Sequence, residues 1–137
     1  MKTSLRLLVL ALAAGAAAAC VPHRDVPAQD IPKLTSLKEL MDVQATVADP
    51  QFSKIDDSAK YADADYAAFT DVSTRIQATS SKAKEFSKGP EFDKLADQLH
   101  ETAVKLGAAA EAKDAKGSSA ALAAMKATCK ECHSKLR

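Results

Sequence analysis

The chain has 137 residues, room for one ordinary domain, and a formal net charge of +1, which offers no electrostatic case for a nucleic-acid partner. Hydrophobic residues make up 47% of it, yet 29 residues are alanine, whose side chain buries little area.

Residues 1–19 have the order of an export signal: Lys2 and Arg6, an apolar run from Leu7 to Leu12, then small residues to Ala19. Its removal takes away two basic residues and leaves 17 basic against 18 acidic, a nearly neutral chain. That chain of 118 residues contains only 21 Leu, Ile, Val and Phe, below the roughly one-fifth level that signals disorder when net charge is high. With balanced charge the expectation is a folded domain whose core is completed by something else.

Residues 20–34, with Pro22, Pro27 and Pro32, read as an irregular tether in which His23 is solvated. Cys20 has two readings. Ala17-Ala18-Ala19-Cys20 fits lipoprotein processing, with an acylated Cys20 attached to a membrane, although a larger aliphatic usually stands at the place of Ala17. It also fits ordinary A-x-A cleavage leaving a free thiol. An unpaired cysteine is a liability in an oxidising compartment, and the tether suits a domain held off a surface, so acylation is favoured.

Four helical patterns occupy residues 35–137. The first opens with a Ser36/Glu39 capping box and carries Leu37, Leu40, Met41 and Val47/Ala48 on one stripe, interrupted by Gln44; it is expected to stop near Asp49-Pro50. After a loop over 51–62, Asp63 and Asp65 open the second, with a stripe of Phe69, Val72, Ile76, Ala83 and Phe86 that ends at Gly89-Pro90. Pro90 starts the third, with Phe92, Leu95, Leu99, Ala103, Leu106 and Ala110 on its apolar face and a break at Gly117. Ser118 or Ser119 caps the fourth, where Leu122, Met125, Cys129, Cys132 and Leu136 recur at helical spacing. No two-residue alternation competes, and the expectation is an all-α antiparallel four-helix bundle.

Cys129-Lys130-Glu131-Cys132-His133 is a C-x-x-C-H sequence, the attachment signature of c-type haem. Cysteines at i and i+3 of a helix project to one side and can both form thioethers with one porphyrin, while a histidine at i+4 rises on the same face toward the iron. A disulfide between Cys129 and Cys132 is poor geometry within a helix, and a zinc site built on these residues lacks a fourth ligand. A haem-free helical metal-binding or structural module is the remaining alternative.

From about Phe92 through Val104-Lys105-Leu106 to Ala127-Thr128 and the C-x-x-C-H sequence, the chain resembles the cytochrome c' family, and the resemblance extends back to about Ser36. It implies haem near the C-terminus of the last helix of a bundle. It also implies one of two branches: five-coordinate proteins with an apolar distal residue that bind NO or CO, or six-coordinate Met/His proteins that resemble electron carriers. In the second branch the ligand lies in a Leu-Met pair on the first helix, matched here by Leu40-Met41. Elimination agrees, because Met1 leaves with the signal and Met125 shares the helix of His133, one turn before Cys129. Met41 as plain core packing beside an open iron is the competing reading, and bis-His ligation through His100 a minor one. The chain departs from the family at Leu136, where an aromatic is common, and at Leu37, where an arginine is common; Lys38 substitutes weakly.

The resulting expectation is a periplasmic electron carrier without catalytic activity, holding one haem c through Cys129 and Cys132, with His133 proximal and Met41 distal. Its partners would be redox proteins, and it would exist as a monomer or homodimer. Lys126, Lys130 and Lys135 surround the motif and read as a solvated face or as a docking rim for an acidic partner.

Overall fold

A computed structural model describes residues 25–136. The export signal, Cys20 and His23 lie outside the described residues. Four helices carry the structure: α1 Leu37–Phe52, α2 Asp63–Ala83, α3 Pro90–Glu111 and α4 Ala115–Lys135. Short 3-10 turns occur at Ala28–Lys33, Ser58–Lys60 and Lys84–Phe86, and no strand occurs among the described residues.

Helix ends follow their capping chemistry. Ser36 Oγ accepts from the Glu39 N–H at 3.2 Å while Glu39 Oε2 accepts from the Ser36 N–H at 3.1 Å, the expected reciprocal box. Helix α2 lacks a capping side chain at Ala62, but Asp65 Oδ2 accepts from the Ala62 N–H at 2.8 Å and Asp65 Oδ1 pairs with Lys54 at 2.6 Å. Gly89, at φ +114°, takes a conformation closed to most side chains, and Pro90 follows as the first residue of α3.

Helix α2 ends at Ala83, short of the expected Gly89, and tightens into the 3-10 turn Lys84–Phe86; three further boundaries differ from the expectation. Helix α1 passes through Pro50 to Phe52, because Phe52 packs on the main core and Ser53 Oγ, donating to Pro50 O at 2.9 Å, closes the last turn. Gly117 does not break the chain and neither Ser118 nor Ser119 caps α4. Instead Lys113, at φ +51°, turns the chain, and Asp114 Oδ1 accepts from the Gly117 N–H at 3.0 Å as the cap. A Cβ at Gly117 would clash with the Asp114 carboxylate, so this glycine serves a close cap. The third difference concerns the tether: Ala28–Lys33 forms a 3-10 helix whose Ile31 is fully buried among Leu40, Val43, Ala83 and Phe92. Arg75 Nη1 holds the segment further back by donating to Val26 O at 3.3 Å.

Neighbouring helices run antiparallel, as cross-helix hydrogen bonds and ion pairs show. Between α1 and α2, Gln44 meets Thr79, and just beyond the end of α1 Lys54 meets Asp65. Ser73 meets Ala103 between α2 and α3, and Lys84, just past α2, meets Asp97. Between α3 and α4, Gln98 meets Thr128 and Glu91 meets Lys135. The buried apolar residues form two clusters. The larger contains Phe69, Val72, Ile76, Leu106, Leu122 and Met125; the smaller contains Ile31, Leu40, Val43, Ala83 and Phe92.

Candidate functional site

Between these two clusters lies a small cavity of about 40 Å³. Ala83 and Phe92 of the smaller cluster and Leu99 of the larger one form part of its wall. Helix α4 contributes Thr128, Cys129, Cys132 and His133; α1 contributes Met41 and Gln44. A second, more open cavity of about 440 Å³, within the roughly 300–1,000 Å³ range of ligand pockets, shares Met41, Gln44, Cys129 and His133 with the first and continues past Ala45, Ala48 and Phe52.

The C-x-x-C-H sequence occupies the last two turns of α4, where i, i+3 and i+4 spacing brings all three side chains to the cavity wall. Both cysteines are half-buried and not joined in a disulfide, and His133 is exposed. Burial pushes the Cys129 thiol up to about 11, with smaller contributions from Asp49 and Cys132. Burial also raises Cys132, aided by Glu131. Among the described residues no three His, Cys, Asp or Glu side chains converge as a metal site would require.

Met41 is half-buried and lines both cavities, whereas Met125 is fully buried in the larger core cluster. His100 does not line either cavity. Its Nδ1 lies 3.2 Å from both Gln77 O and Ser81 Oγ, against α2, which makes it a helix-packing residue. Leu136 packs on the smaller cluster, as does Leu37. Of the three lysines around the motif, Lys135 is paired with Glu91 at 2.9 Å and Glu131 at 2.7 Å. Lys126 Nζ lies 5.8 Å from the centre of the Phe52 ring, and Lys130 is exposed.

Sequence reading did not assign Gln44, Ser80 or Thr128 to the site, although all three line the cavity. Gln44 alone left a trace, as a polar residue within an apolar stripe. Ser80 and Thr128 hide among many small polar residues on helices, where only tertiary packing distinguishes one from another.

The residues present fit a covalently held haem: two thiols and an imidazole on one wall, a thioether on a facing helix, and mostly apolar side chains between. The family described as cytochrome c' matches the chain over residues 33–137. No curated protein and no solved structure matches it. No helix among the described residues is long and apolar enough to cross a membrane, and the family is typically periplasmic. With 105 of its 137 residues matched, the chain belongs to the cytochrome c' family and is a helical-bundle cytochrome that carries covalently attached haem c.

Proposed function

We propose that this cytochrome carries single electrons in the periplasm, with Cys129 and Cys132 as thioether attachments, His133 as proximal ligand and Met41 as distal ligand. The observation that carries the reading is the position of Met41. It stands half-buried on α1, on the wall of the same two cavities as Cys129 and His133 of α4. When bound, the haem iron supplies a one-electron couple, whose potential Met/His ligation raises.

The chain's own residues suit that role. Phe92, Leu95 and Leu99 exclude water from the inner wall, which limits solvent reorganisation around a changing charge. Lys130, within the attachment motif, is exposed, so that end of the bundle offers a redox partner an approach. The reading includes no turnover, and an acylated Cys20 would hold the domain near its membrane partners. An N-terminus that mass spectrometry shows to be unmodified at Cys20, or cleaved after it, would remove the anchor.

Optical spectra of the oxidised holoprotein test the ligation. A low-spin spectrum with a methionine-to-iron charge-transfer band, lost in Met41→Ala, is the expected result. A high-spin spectrum unchanged by that substitution would refute Met41 ligation and favour an open iron that binds NO or CO.

A further inference from the structure

Gln44 is the one side chain with an amide on the cavity wall, and it is 8% exposed on a stripe otherwise made of apolar residues. It lies three residues after Met41, on the same side of α1, and lines both cavities with it. Its Nε2 donates to Thr79 Oγ1 at 3.1 Å. Thr79 Oγ1 has a single proton, and that proton is directed at its own helix: Arg75 O lies at 2.9 Å and Ile76 O at 3.2 Å. With that proton on the Arg75 and Ile76 carbonyls, the threonine hydroxyl accepts from Gln44. The amide is turned with nitrogen toward α2, and no protein donor reaches its carbonyl Oε1 among the described residues.

We propose that Gln44, pinned by Thr79, is a positioning residue that sets the reduction potential by holding a fixed carbonyl dipole beside the iron site. Its negative end is free and its positive end is bound to α2. In a low-dielectric wall such a dipole favours the more positive, ferric state, so the amide lowers the potential. The inference rests on haem occupying this cavity. It does not require Met41 to be a ligand, because a dipole acts on the iron in either coordination state.

The test is the reduction potential of the covalently loaded holoprotein and of Gln44→Leu and Thr79→Val, with the oxidised spectrum recorded alongside. Gln44→Leu removes the dipole at similar volume, and Thr79→Val frees the amide without altering it. The expected result is a potential raised in Gln44→Leu by roughly three- to tenfold in the ferric/ferrous equilibrium constant, about 30–60 mV at 59 mV per decade for one electron. Thr79→Val should move it in the same direction by less. A potential unmoved or lowered in Gln44→Leu would overturn the inference, and if that variant fails to accumulate, an unmoved Thr79→Val potential would do so. Failure of Met41 ligation is read separately, from the wild-type spectrum.

Discussion

Met41 on α1 and His133 on α4 line the same two adjoining cavities, although nearly the whole domain separates them in sequence. Antiparallel packing brings the early part of the first helix and the end of the last to one region of the bundle. If both side chains ligate the iron, the reduced wild-type protein should bind carbon monoxide only when Met41 is displaced. Met41→Ala should bind it at least about tenfold more tightly, a difference of about 1.4 kcal/mol. Equal affinity by titration of the reduced spectra would contradict ligation.

The cavity separates two core clusters, so its filling bears on stability as well as function. Cys129→Ala with Cys132→Ala should abolish covalent haem, read as the loss of one porphyrin from the intact mass. The same variant should unfold less cooperatively, and earlier by at least about 2 kcal/mol or roughly 10 °C. Cooperative unfolding at the holoprotein's midpoint would show that the sparse core does not depend on the group.

Ile31 is fully buried although it belongs to the proline-rich segment before α1. Ile31→Ala should therefore cost about 2–5 kcal/mol in urea unfolding, as for other large core truncations. A tether would lose almost nothing, so a cost below about 0.5 kcal/mol would argue against docking of this turn.

Helices α2 and α3 approach closely where Ser73 Oγ donates to Ala103 O at 2.7 Å. A Cβ added at Gly107 would lie 2.5 Å from that hydroxyl oxygen. Gly107→Ala should destabilise by about 1–3 kcal/mol despite the better helix propensity of alanine. Adding Ser73→Ala should recover part of the loss, and a stabilised single variant would rule out the close approach.

The Ala62 N–H and Lys54 hold the Asp65 carboxyl below its ordinary value of 3.8. A carboxyl with a lower pKa folded than unfolded contributes stability above the unfolded value and loses it as pH falls through the folded one. Asp65→Asn should accordingly melt earlier than wild type at neutral pH, and the gap between the two melting temperatures should close as pH falls below 3.8 and through the lowered folded value. A gap that persisted in acid would assign the effect to shape instead of charge.

Much of this was legible in the linear chain because it is local. The Ser36/Glu39 box, Pro90 after Gly89, the four apolar stripes and the spacing of Cys129, Cys132 and His133 each act within one or two helical turns, so neighbouring residues determine them. The rest required distant partners. Pro50 stays helical because Phe52 has a core to enter, and Asp114 displaces Ser118 as a cap because Ser118 is buried in the packed bundle. Ile31 is structured because helices distant in sequence leave a place for it. Gln44 looked like a flaw in a stripe until Thr79, 35 residues away, supplied its partner. By itself the sequence determined the helices and the chemistry of haem attachment, since both depend on short-range periodicity. Only the tertiary structure decided which polar residues share the cavity with that chemistry, because a buried amide acquires its orientation from the helix packed against it.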